Sequence, residues 1–137
     1  MAVLVDTGAL YAYLDKHDRW HPPAKTLFEN STEAFLVPQT VLPEACYLIR
    51  RALGTREEQA FVENLSSDRF LVIPLMPQDF PRILELLRRY ENLRLDFVDA
   101  SVIAVAERLR IKKVATTDRR DFALVRPVHC EKFELVP

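Results

Sequence analysis

A three-layer α/β/α domain with a mainly parallel five-stranded sheet is the fold class this sequence predicts, on three observations. Five short apolar runs are continuous rather than alternating, as strands covered on both faces require. Amphipathic helical patterns separate them, so strand and helix alternate along the chain. The 137 residues suffice for one such core, and a single domain over residues 1–137 is expected.

The expected strands are "AVLVD" (2–6), "AFLVP" (34–38), "FLVIPL" (70–75), "KKVATT" (112–117) and "FELVP" (133–137). Residues 8–15 and 21–30 read as helices, with Trp20 and Pro22-Pro23 marking a break and a fresh start. From Thr40, the residues Val41, Ala45, Leu48, Ile49 and Ala52 share a helical face, and Gly54 is the natural C-cap. Thr55 and Glu58 write a capping box for a helix to about Ser66. A helix over 79–90 places Phe80, Ile83, Leu84, Leu87 and Tyr90 on one face. The last long helix, "LDFVDASVIAVAERL" (95–109), carries the stripe Val98, Val102, Val105, Ala106 and Leu109.

Composition narrows the function classes. No apolar run approaches the ~20 residues of a membrane span, and "MAVLVDTGAL" has neither a basic n-region nor an A-x-A-like cleavage site, so a cytoplasmic protein is expected. Cys46 and Cys130 lie in unrelated segments, which suggests neither a CxxC metal site nor a disulfide. The net charge of −1 announces no global basic field, leaving a local grip on a short nucleic acid as the only such option.

The acids are more informative, because open α/β sheets bind ligands beyond the carboxyl ends of their strands. Asp6 ends the first expected strand and Asp118 follows the fourth. Glu44 opens the helix after the second, bordering the Val41 and Leu48 face. Asp96 and Asp99 open the helix that leads into strand four, which starts on the same rim if its crossover is right-handed. Each has a structural explanation: turns, N-caps and first-turn acids are common, and Asp118 can cap "RRDFAL". Together, four or more carboxylates without an internal Lys or Arg partner repel one another unless a hard cation lies between them. Mg²⁺ or Mn²⁺ suits such oxygen-only ligation.

Rival chemistries fit less well. One Asp-Thr-Gly, at 6–8, is half an aspartic protease site on the wrong scaffold. A phosphoacceptor receiver wants an Asp closing strand three and a Lys near the end of strand five, and neither is present. With Gly8 and Gly54 the only glycines, no dinucleotide fingerprint or P-loop can be written. His17 and His21 have helical spacing but run into Pro22-Pro23, and His129 stands alone. Metal-assisted phosphodiester hydrolysis remains, since it needs no protein nucleophile.

Four segments in order, "VLVDTGAL", "LPEACYLIRRALG", "LDFVDASVIAVAERL" and "KKVATTDRRDF", resemble the PIN-domain nucleases, and more narrowly the VapC-type toxins of toxin–antitoxin pairs. The likeness runs from residue 2 to about 136, and its last two motifs in tandem are the specific ones. The resemblance implies a Rossmann-like sheet, a divalent-metal-dependent endoribonuclease and silencing by a small cognate antitoxin. It also carries an expectation of homodimerisation. Position by position, it places Asp6, Glu44, Asp99 and Asp118 as the metal-binding quartet. Thr116 matches the hydroxyl near the fourth acid, and Asp96 and Asp121 fall where some members carry additional acids.

The mechanism this suggests is in-line attack on an RNA phosphodiester by water activated by Mg²⁺. Asp6, Asp99 and Asp118 would hold the metal, and Glu44 would bind a second cation or orient the water. Arg119 and Arg120 would meet substrate phosphate or simply form a solvated helix start. The alternative is a non-toxin PIN protein that processes RNA, or captures it through metal without turnover.

Overall fold

The computed structural model describes all 137 residues. Its sheet contains β1 (Ala2–Val5), β2 (Ala34–Pro38), β3 (Phe70–Ile73), β4 (Lys113–Ala115) and β5 (Glu134–Val136), in the order β3-β2-β1-β4-β5. Every neighbouring pair is parallel, so the expected mainly parallel sheet is wholly so. β2 matches its expected run and the other four strands lie inside theirs and are shorter, with Asp6 and Thr116 just past the last paired residues of β1 and β4.

The helices are α1 (Thr7–Leu14), α2 (His21–Asn30), α3 (Val41–Leu53), α4 (Thr55–Asn64), α5 (Asp79–Arg89), α6 (Phe97–Leu109) and the short α7 (Arg119–Leu124). Gly54 joins α3 to α4 at φ 105°, a conformation open to glycine and strained for other residues. It also supplies the cap of α4. Thr55 is therefore the first helical residue, and the expected capping box does not form.

Burial follows position in the sheet. Val3, Leu4 and Val5 of the central strand are sealed on both faces, while Leu71 and Val72 of edge strand β3 are exposed. Phe28, Phe35 and Phe70 pack with ring centroids 4.8, 5.7 and 6.2 Å apart, each ring contributing ~1.5–3 kcal/mol by burial. On α6, residues Ala100 to Glu107 are all buried, so this helix is central to the fold rather than amphipathic.

On α3 the buried residues are Val41, Ala45 and Ile49, while Ala52 is exposed. The face of α5 is also rotated from expectation. Asp79, Ile83 and Leu86 are buried, whereas Phe80 and Leu84 are 51% and 47% exposed. The cause is an ion pair: Arg108 Nε donates to Asp79 Oδ1 at 2.9 Å and draws that acid inward.

Candidate metal centre

The chain leaves β1 for β2 on one side and reaches β4 on the other, so the carboxyl ends of β1 and β4 flank the switch point of the sheet. Asp6 stands there, its N–H donating to Ala115 O at 2.9 Å, and Asp118 follows β4. α6 begins on the same rim. Asp96 is its N-cap and accepts from the Asp99 N–H at 2.9 Å, which fixes the first turn and with it the Asp99 side chain. Thr40, just before α3, bonds Ser101 of α6 at 2.6 Å. The Ser101 hydroxyl spends its proton on Val98 O, so Thr40 is the donor, and the bond fastens the Glu44 end of α3 to the Asp99 end of α6.

Asp99, Asp118 and Asp121 each place a carboxylate oxygen within 4.8 Å of the other two. None of them forms an ion pair with Lys or Arg, and neither do Asp6, Glu44 and Asp96. Asp121, expected only as an additional acid, thus belongs to the tightest group, while Asp6 and Glu44 stand outside it. Asp6 is 5% exposed and accepts from the Thr116 hydroxyl at 3.0 Å. That hydroxyl also accepts from the Asp118 N–H at 3.0 Å, so Thr116 links two of the acids.

The electrostatics record the crowding. Burial pushes the Asp6 carboxyl up to about 6, with the charges of Glu44 and Asp118 adding to it and bonds from the Thr7 N–H and the Thr116 hydroxyl opposing. Asp99 is pushed up to about 8, first by burial, then by the charges of Asp96 and Asp6. Asp118 is raised by burial and by Asp121, with Arg120 pulling the other way. These pairwise influences join all six acids into one field. Its donors are oxygens only: His21 Nδ1 is bonded to Ala12 O at 2.8 Å and His129 Nε2 to Ile111 O at 2.6 Å, both outside the acidic cluster. Such a set fits a hard divalent cation such as Mg²⁺ or Mn²⁺.

Two neighbours that sequence reasoning passed over shape the site. A Cβ on Gly8 would overlap the Thr117 hydroxyl and lie 3.4 Å from the Thr117 Cβ, so glycine lets α1 approach the loop that carries Asp118. The Thr7 hydroxyl is buried beside Asp6 with no partner. Both adjoin Asp6 in sequence, but their roles need the β4 loop in place. Arg119 behaves differently from expectation: its guanidinium lies 5.2 Å from the Trp20 ring centroid and donates to the Pro137 carbonyl. Arg120 is exposed and free of any ion pair.

A doubly wound parallel sheet with a carboxylate-only cluster at its switch point defines a class of α/β domain with an acidic site. Residues 3–126 match the PIN domain family, and the chain belongs to it. Along 98% of its length it is 26% identical to the whole of "Ribonuclease VapC26" of Mycobacterium tuberculosis. The crystal structure of VapC20 of Mycobacterium tuberculosis, described as a sarcin-ricin loop cleaving toxin, superposes with a TM-score of 0.83 at 26% identity, covering 94% of this chain and 98% of that one. A toxin–antitoxin complex from Klebsiella pneumoniae shares the fold, at a TM-score of 0.69 and 23% identity over 96% of this chain and 99% of that one.

Proposed function

We propose that this protein is a divalent-metal-dependent endoribonuclease and the toxin of a toxin–antitoxin pair. The observation that carries the reading is the triad of Asp99, Asp118 and Asp121, converging at the switch point without a basic partner. Similarity to a ribonuclease and to a toxin named for cleaving the sarcin-ricin loop supports RNA as the substrate.

In this reading Asp6, Asp99, Asp118 and Asp121 hold Mg²⁺ or Mn²⁺. Once bound, the cation lowers the pKa of water and offsets charge growing on the phosphodiester. Asp6 is kept in place by Thr116, and Asp96 acts mainly by capping α6. Glu44, half-buried on the facing helix, orients the attacking water or holds a second cation. Arg120 meets substrate phosphate, while Arg119 braces the C-terminus against Trp20.

A toxin that cuts RNA acts in the cytoplasm and needs a cognate antitoxin to keep it silent. No helix is long and apolar enough to cross a membrane. A homodimer is supported by the Phe80 and Phe97 rings, 51% and 44% exposed and stacked with centroids 6.5 Å apart.

The test is cleavage of a labelled sarcin-ricin loop RNA in Mg²⁺ or Mn²⁺, with EDTA as control, by wild type and Asp99→Asn. Asn spares the fold of the first turn and removes a ligand charge, so cleavage should vanish while the melting curve persists. Equal cleavage by the variant, or cleavage in EDTA, overturns the reading.

A further inference from the structure

The acids leave an electrostatic difficulty. Up to six carboxylates crowd the site, and one or two divalent cations neutralise only part of that charge, so a polyanion meets a negative rim. The structure offers a remedy in one place. A cavity of about 570 Å³ opens beside the triad, lined by Asn92, Leu93, Arg94, Asp118, Arg120 and Asp121. Asp118, Arg120 and Asp121 line it from the segment after β4, and Arg94 lines it from a separate element, the 3-10 turn Glu91–Leu93 that it ends.

Arg94 is exposed, forms no ion pair and donates no side-chain hydrogen bond, unlike Arg82 and Arg108, which are bound to Glu107 and Asp79. Its backbone is left-handed at φ 58°, where glycine is the unstrained residue. Only one other non-glycine residue, Arg110 at φ 59°, shares that conformation. Arg110 ends α6, at the far end of that helix from Asp99, and lines a different cavity with Met1 and Lys113. The two arginines are thus matched in backbone and charge; the acids in the cavity of Arg110, Glu33 and Glu134, are paired with Lys113, and only Arg94 stands beside unpaired ones.

We infer that Arg94 is a substrate-binding residue, gripping an RNA phosphate next to the scissile one and setting how the strand enters the acidic cavity. This rests on the nuclease reading and adds to it a residue outside the quartet. A guanidinium pairs bidentately with phosphate oxygens, and the Leu93 N–H to Tyr90 O bond at 2.9 Å closes the short turn that brings Arg94 to the cavity.

The matched pair supplies the experiment. Arg94→Gly and Arg110→Gly each relieve a left-handed residue and remove one charge, so both should melt at or above the wild-type temperature. With a fluorescein-labelled RNA hairpin in Mg²⁺, Arg94→Gly should raise KM about ten-fold or more with kcat within about two-fold. It should also make the salt dependence of RNA binding, read by anisotropy, shallower by about one unit of slope. Arg110→Gly should do neither. Wild-type KM and slope in Arg94→Gly, or equal losses in both variants, overturn the inference while wild-type cleavage leaves the nuclease reading standing. Wild type that binds without cutting overturns the hydrolytic reading alone, with anisotropy still scoring Arg94. Wild type that neither cuts nor binds overturns both.

Discussion

The two ends of α6 present the same residue types in opposite states. In its first turn, Asp99 is pushed up to about 8 and has no cationic partner. In its last turns, Glu107 accepts from Arg82 Nε at 2.7 Å, Arg82 Nη2 at 2.9 Å and the Val128 N–H at 3.0 Å, while Arg108 holds Asp79. Asp79 and Glu107 are 2% and 9% exposed, as buried as Asp6, yet each is satisfied by a guanidinium and a backbone N–H. A buried acid that the chain itself neutralises serves the fold. One that the chain leaves unpaired, its carboxyl pushed upward, has no such internal partner, and the proposed function gives it a divalent cation.

This contrast can be broken from either end. The largest effect belongs to Arg82→Ala, which strands Glu107 in the interior; urea unfolding should show a loss of about 3–5 kcal/mol, with unchanged cleavage per folded molecule. At the other end, Asp6→Asn should cut metal-dependent cleavage at least ~100-fold while leaving stability at or above wild type, because it removes a buried charge held only by Thr116 and the Thr7 N–H. A variant that loses both stability and activity would mean that Asp6 is structural.

Gly8→Ala sharpens the geometry. The added methyl displaces Thr117 and with it the Asp118 loop, so a stability loss of ~1–3 kcal/mol should come with weaker Mg²⁺ binding, measurable by calorimetry. A pH scan needs no substitution at all. Asp6 and Asp99 rise from 3.8 to about 6 and about 8, so between those limits the folded chain binds more protons than the unfolded one. Metal-free protein should therefore melt lower as pH climbs from about 4 to about 8, then level off. Asp99→Asn should flatten the upper part of that decline. A melting temperature that rises across the window would reverse the assignment of unpaired acids.

Much of this was legible in the sequence because strand and helix periods are local. "AVLV" reads as a strand whatever surrounds it, and Asp96 caps α6 as expected because a cap needs only its own turn. The convergence of Asp6, Asp99 and Asp118 also followed, since the alternation of elements forces their loops to one rim. What escaped depended on distant partners. The rotation of α5 is set by Arg108, 29 residues away, and no window around Phe80 contains it. Arg119 looked free beside Asp118, but Trp20 and Pro137 engage it only once the sheet has formed. Asp121 outranked Glu44 in closeness because α7 turns it back onto Asp99 and Asp118.

The central claim is that the unpaired acids of the switch point hold a cation and the paired acids do not. The direct measurement is thermal melting of the full chain against Mg²⁺ concentration at a pH above 8, for wild type, Asp99→Asn and Glu33→Gln, whose acid is held by Lys113 at 3.0 Å. Wild type and Glu33→Gln should gain melting temperature with the logarithm of Mg²⁺ concentration, and Asp99→Asn should lose that response. A wild type indifferent to Mg²⁺, or an Asp99→Asn that gains as much, would contradict the account.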